Sequence, residues 1–215
     1  HLEHRRQRQM CIRDSIKSAF MNKKICAWAA NTYPDYINYH NKEWGVPVHE
    51  DKIHFEFLIL EGAQSGLSWR TILNKRGGYR EAFADFDVLL ISKFTSSYLE
   101  SLIENPHIVR NRLKIDSVFE NAKAFIQIQK EFGSFDTYVW SFVDHQPIQG
   151  AWHAKKETPP SQTNISLRLS KDLKKRGFKF VGSTIMYSYM QAIGMVNDHS
   201  PECYRYLQIK AFKAS

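Results

Sequence analysis

Cysteine is scarce in this sequence, with three in 215 residues. Too few and odd in number, they cannot form a disulfide framework. This points to a reducing compartment, in which each thiol is either buried or a metal ligand. Long apolar runs are missing too: no stretch approaches the roughly 18–20 residues that span a bilayer. The first twenty residues lack the apolar core of a signal peptide. No series of segments alternates apolar and polar residues as strands would, and there is no internal repeat. These absences leave an all-α, single-domain reading.

What is present is an ordinary globular composition, 43% hydrophobic and 24% charged, with 13% aromatics and a formal net charge of +8. Such an excess suggests an anionic partner, nucleic acid first and an anionic membrane surface second. The first twenty residues carry five Lys or Arg against two Asp or Glu, so +3 of the +8 lies there and about +5 remains for the rest. That segment is polar and basic, has no core-forming period and holds Cys11. It reads as a non-native or disordered basic tail. A domain is expected over 21–206 and a short tail over 207–215.

The stretch Leu58 to Trp69 organises the rest. A helix over Glu50 to Ala63 carries Phe55, Leu58, Ile59 and Gly62 on one face and then presents Glu61. A carboxylate on an apolar run is costly unless something binds it. Trp69 follows eight residues later, across a turn of small residues. The pair reads either as a pocket for a flat, polar ligand, neutral or cationic, or as a solvated Glu61 beside a core Trp69. Ser68 is a good N-cap for a second helix through about Arg76, which Gly77-Gly78 should stop.

Ser96 or Ser97 caps a helix that ends at Asn105-Pro106, because the residue before proline avoids helical dihedrals. A long helix then begins near Arg110–Arg112, with Ile115, Val118, Phe119, Ala122, Phe125, Ile126 and one polar lapse, Gln129, in a 3.6 period. Residues 97–131 thus form a helix, short turn and helix. Arg110, Arg112 and Lys114 stand at the second N-terminus, where amides and the dipole favour a phosphate. Further helices are read at Phe135 to Val143, Asn164 to Arg176 with Gly177 ending it, and Ser183 to Gly194, with a loop over 144–163. The densest basic cluster is Lys171, Lys174, Lys175, Arg176 and Lys179. Both basic groups read either as phosphate grips or as solvated faces.

Cys26-x13-His40 and His199-x3-Cys203 offer two thiolates and two imidazoles. The second pair would share one face of a helical turn. They would fill a closed, structural zinc shell; otherwise they are two buried cysteines and two ordinary histidines.

Several stretches in order carry a resemblance: Glu43-Trp44-Gly45-Val46-Pro47, Leu60-Glu61-Gly62-Ala63-Gln64-Ser65-Gly66-Leu67-Ser68-Trp69, Val139-Trp140-Ser141-Phe142-Val143, Leu173 to Gly182, and Gly194-Met195-Val196-Asn197-Asp198-His199. Over about residues 24–205 the chain closely resembles bacterial DNA-3-methyladenine glycosylase I. The resemblance implies a helix-hairpin-helix DNA glycosylase domain with one structural Zn2+ held by Cys26, His40, His199 and Cys203, joining the two ends of the chain. It implies base binding by Glu61 and Trp69, with Tyr36, Tyr39 and Trp28 around them, and a wedge at Gly66 and Leu67. Glu61 is the catalytic candidate, acting by recognition and charge stabilisation of the cationic base or, as the runner-up, as general base for the attacking water. Arg110, Arg112, Lys174 and Lys175 are the expected phosphate contacts.

Two departures stand out. The Cys26 to His40 spacing is one residue longer than usual, and the hairpin at Glu104 to Arg110 lacks a Gly-rich turn. The activity implied is hydrolysis of the N-glycosidic bond of 3-methyladenine in double-stranded DNA by a cytoplasmic, monomeric enzyme, with no lyase step and no membrane partner. The alternative is a zinc-stabilised DNA-binding protein without catalysis.

Overall fold

The computed structural model describes residues 23–150 and 159–212. The basic segment 1–20 with Cys11, the middle of the expected loop 144–163, and the last three residues lie outside them. The described chain is 61% helical. Its α-helices are α1 Pro34–Lys42, α2 Asp51–Ala63, α3 Trp69–Ala82, α4 Val88–Ile91, α5 Ser96–Ser101, α6 Arg112–Phe132, α7 Phe135–Trp140, α8 Asn164–Lys175, α9 Ser183–Ala192 and α10 Tyr204–Lys210. Two-residue strands, β1 Ile148–Gln149 and β2 Val196–Asn197, pair in parallel.

Helix α2 is the axis of the molecule. Every residue from His54 to Ala63 is buried, so the helix is enclosed all round rather than on the one face its period suggested. Phe55 packs edge-on against Phe125 of α6 at 5.2 Å, and Phe125 stacks on Phe135 of α7 at 4.1 Å. Three polar side chains share this buried run, and two are fully engaged. The imidazole of His54 bridges the Tyr189 hydroxyl and Asp136, each at 2.9 Å, and Glu56 receives Arg76 and Arg80, each at 2.8 Å. The third is Glu61.

Ser68 caps α3, its hydroxyl accepting from Thr71 N at 3.2 Å. The helix does not stop at Gly77-Gly78 but runs on to Ala82. The reason is packing: the turn before α6 lies flush on α3, and a Cβ at Gly78 would collide with the His107 carbonyl. Lys75 donates to the Pro106 carbonyl at 2.6 Å and Tyr79 OH accepts from Val109 N at 3.4 Å, so the turn is seated on α3. Thr95, rather than Ser96 or Ser97, caps α5, and Asn111 caps α6. The polar lapse at Gln129 is a bond to Asp51 at 2.7 Å, and Ile128 takes the buried place in that turn.

Helix α8 ends as expected at Gly177, whose φ of +95° suits glycine. The amides of Gly177 and Phe178 close back on Lys174 O and Leu173 O. The C-terminal stretch differs from the expected fray. Residues 199–203 form a bend rather than a helical turn, Cys203 stands at the N-cap of α10, and Ile209 is fully buried. Tyr204 N donates to Lys24 O at 2.9 Å, which brings the two ends of the domain together.

Candidate active site

A cavity of about 640 Å3 opens between α1, the C-terminal half of α2, the start of α3 and one face of α9. All five residues expected around a base line it: Trp28, Tyr36, Tyr39, Glu61 and Trp69. Glu61 is 4% exposed and, among the described residues, has no hydrogen-bond partner. Burial without a compensating hydrogen bond pushes its carboxyl up to about 8.

Tyr36 and Tyr39 are both raised, first by burial and then by the nearby Glu61 charge. The Tyr39 and Trp69 rings lie 5.4 Å apart at 51°. Trp69 is 8% exposed, and its indole N–H is buried without a partner among the described residues. A flat-walled cavity with an unpaired carboxyl and a spare donor is built to receive a planar polar group. Trp28 meets Tyr36 edge-on at 5.3 Å, so the longer Cys26 to His40 spacing still leaves it on the wall.

Sequence reasoning missed a second polar group on this wall. Asp198 is 3% exposed and accepts from Tyr187 OH at 2.6 Å and Gln191 Nε2 at 2.7 Å. All three line the cavity, as do Gln64 and Trp44. The signal was available: Trp44 and Asp198 both fall within the motifs quoted for the resemblance, and Tyr187 and Gln191 are four apart on α9.

Cys26, His40, His199 and Cys203 converge behind the same wall. All four are buried, and their ligand atoms lie within 4.8 Å of one another. The i, i+4 spacing of His199 and Cys203 did not work through a helix, yet the bend delivers both side chains. The donor set fits a metal. His199 Nε2 donates to the Trp44 carbonyl at 3.0 Å, leaving Nδ1 bare toward both sulfurs. His40 Nδ1 donates to Asn41 Oδ1 at 2.8 Å, leaving Nε2 toward Cys203. Such outer bonds fix the ring orientation of a ligating histidine. Contact with Cys203 and burial push the Cys26 thiol up, while a hydrogen bond from Cys26 pulls Cys203 down. At Gly45, φ is +79° and a Cβ would sit 3.0 Å from His199 Nε2, so the turn after Trp44 needs glycine on both counts. Trp44 lies edge-on to His199 at 4.7 Å and to Trp28 at 5.0 Å, so the cluster buttresses the cavity.

The expected DNA contacts divide. Gly66, at φ +77°, and Leu67, 40% exposed, form a bare turn beside the cavity. Arg110, Lys174 and Lys175 are exposed. Arg112 is already paired with Asp116 at 2.9 Å and Glu100 at 3.6 Å, and Arg176 with Asp172 and Glu131. Lys114, counted with the phosphate-gripping group, is turned inward onto two backbone carbonyls.

A model of the methyladenine glycosylase family matches residues 28–206. The chain belongs to that family. It is 47% identical to DNA-3-methyladenine glycosylase 1 of Escherichia coli (strain K12) over 178 residues, covering 83% of this chain and 94% of that one. It is 42% identical to the DNA-3-methyladenine glycosylase of Haemophilus influenzae, covering 83% and 95%. Among solved structures, a 3-methyladenine DNA glycosylase I aligns with a TM-score of 0.79 at 45% identity, over 84% of this chain and 98% of that one. The Staphylococcus aureus glycosylase I, solved for its recognition of 3-methyladenine, aligns with a TM-score of 0.80 at 34% identity, over 88% and 97%. The family match spans all five cavity residues named above and three of the four Cys/His cluster residues, with Cys26 just before its start.

Proposed function

We propose that this protein excises 3-methyladenine from double-stranded DNA and leaves an abasic site. The observation that carries this reading is Glu61, a buried carboxyl on the wall of an aromatic cavity with no hydrogen-bond partner among the described residues. In DNA the 3-methylated base is formally cationic. Placed beside Glu61, that charge favours the carboxylate and draws the carboxyl back down. A neutral adenine leaves Glu61 protonated and gains no such pairing. Trp69 and Tyr39 offer faces on which a cation stacks well.

Extraction of the base costs a few kcal/mol, least for a damaged one. Leu67 is the apolar wedge that fills the vacated stack, next to the small, permissive Gly66. Arg110, Lys174 and Lys175 grip phosphates, with Arg112 available once its surface ion pairs yield. The helix-hairpin-helix element is α5, the turn at 105–111 and α6. The reaction breaks the bond from C1′ to the base; the electron pair goes to the base and neutralises its charge. The oxygen of water bonds to C1′ and a proton is released. Because a cationic base leaves readily, positioning and charge stabilisation do most of the catalysis. No lysine is assigned as nucleophile, which makes the enzyme a monofunctional hydrolase without a lyase step, acting as a monomer through one domain over 21–206.

Cys26, His40, His199 and Cys203 are the residues that would hold one structural Zn2+, which contributes folding stability and, with four protein ligands, leaves no open position for catalysis. Metal analysis is expected to give one zinc per chain, and its removal to lower the melting temperature; a second equivalent with an exchangeable water would overturn the structural role. The decisive assay for the activity incubates methylated duplex DNA with the protein. Free 3-methyladenine is expected without strand scission. DNA binding without base release would leave a non-catalytic binding protein instead.

A further inference from the structure

Lys114 leaves the basic group at the start of α6 and points into the protein. Its Nζ donates to Ala63 O at 2.8 Å and to Ser65 O at 2.6 Å, spanning the end of α2 and the turn that follows it. These carbonyls lie where a helix runs out of its own donors. The last turn of α2 has no basic side chain of its own to meet them. The charge therefore comes from 51 and 49 residues away in sequence, at the helix end where a cation is favoured. Burial shifts the Lys114 ammonium downward.

The turn itself has little else to hold it. Nothing lies within 4 Å of where a Cβ at Gly66 would stand, and Leu67 is 40% exposed and outside the core cluster. Leu67 N closes locally onto Gln64 O at 2.6 Å. Lys114, in contrast, is well anchored. Its own amide donates to the Asn111 cap at 3.1 Å, and Ser117 Oγ donates to its carbonyl at 2.7 Å. The 105–111 turn that precedes it is seated on α3 through Lys75, Gly78 and Tyr79.

We infer that Lys114 is a positioning residue: it ties the N-terminus of α6 to the 63–67 turn, so that the element meeting the DNA backbone and the Leu67 wedge are set as one unit. This rests on the wedge reading of Leu67 proposed above. A phosphate ligand would aim its ammonium outward, whereas this one spends two of its three donors on the protein.

The test uses the full chain and methylated duplex DNA. Lys114→Met keeps the stem and removes the donors. It is expected to lower excision from duplex about tenfold while leaving the binding of free 3-methyladenine and the salt dependence of duplex binding unchanged. Lys114→Arg should restore most of the excision. In a Leu67→Gly background the methionine change should cost nothing further, since two residues that act through one another do not add. If the methionine variant does not fold, Lys114→Gln, which retains one donor position, supplies the same comparison.

A salt slope reduced by about one phosphate would make Lys114 a backbone ligand and overturn the inference. Additivity with Leu67→Gly would overturn it too, as would an equal loss of free-base binding. A Leu67→Gly protein that excises from duplex as well as the wild type would instead remove the wedge reading and this inference with it, and so separates the two failures.

Discussion

Glu56 and Glu61 sit five residues apart on the same helix, both nearly inaccessible, at 2% and 4% exposure. Their chemistry is opposite. Burial alone would raise Glu56, but hydrogen bonds and charge from Arg76 and Arg80 outweigh it, and the carboxylate titrates below its usual range. Glu61 suffers the same desolvation with no cation to answer it, and rises to about 8. Glu56 is a finished interaction: it ties α2 to α3, and Arg76 continues to Glu43 beside the Trp44 wall of the cavity. Glu61 faces the cavity and, among the described residues, has no hydrogen-bond partner. On a buried helix, then, the carboxylate that the fold leaves unpaired marks the site, and the paired one marks the frame.

The comparison breaks most visibly at Glu56. Glu56→Ala strands the half-buried Arg76 and the more exposed Arg80. Removing one partner of a buried pair costs several kcal/mol, and because Arg76 keeps Glu43 at 2.6 Å the expected loss is about 3 kcal/mol. Denaturant melts measure it. Excision per folded molecule should stay near the wild-type value at a temperature where the variant is folded. A variant as stable as the wild type would show that the pair contributes no net stability.

Glu61→Gln inverts that pattern. The amide copies the protonated carboxyl in shape and cannot acquire charge. Excision is expected to fall by about two orders of magnitude, roughly 2.7 kcal/mol in the barrier, with selective binding of free 3-methyladenine lost. Trp fluorescence titration and single-turnover base release read the two effects. Wild-type binding and excision in this variant would sink the electrostatic reading of Glu61.

Much of this was legible in the residues. The resemblance carried the five cavity positions and the four Cys/His positions, of which Glu61, Trp69 and His199 lie inside the quoted motifs, and helical periods placed most of the core helices. What was not legible depended on long-range partners. The apolar period of α2 suggested one buried face, because nothing local shows that α6, α7 and α9 enclose the other sides. Gly77-Gly78 reads as a stop by propensity, yet the helix continues, since close packing of the 105–111 turn needs a residue without a Cβ at Gly78. Lys114 looks like a phosphate ligand until Ala63 and Ser65 are seen beneath it. The helix over Tyr204–Lys210 was not expected, because it is anchored by contacts no local pattern shows: the buried Ile209 side chain, and Tyr204 N donating to Lys24 O at 2.9 Å.

The smallest expected effect sharpens the comparison through pH. Glu61 has a folded value near 8 against an ordinary 4.5. A carboxyl raised by folding stabilises the fold fully below its unfolded value, and that contribution declines as pH rises and is gone above the folded one. Wild-type stability should therefore fall relative to Glu61→Gln from about pH 4.5 to pH 8. The gap should reach about 2 kcal/mol, less than full desolvation implies because water can enter the cavity. Glu56, lowered by folding, has the reverse sign: its contribution is present above the ordinary carboxylate range and fades as pH falls through its depressed folded value. Between pH 6 and pH 9 melting curves should show the balance between wild type and Glu61→Gln shifting toward the variant, while the deficit of Glu56→Ala stays level, because both pH values lie above the range in which Glu56 titrates. At pH 9, Glu61→Gln should be the more stable protein and Glu56→Ala the less stable one. Equal stability of wild type and Glu61→Gln at pH 9 would mean that Glu61 already has a partner in the free protein, and the contrast between the two carboxylates would dissolve.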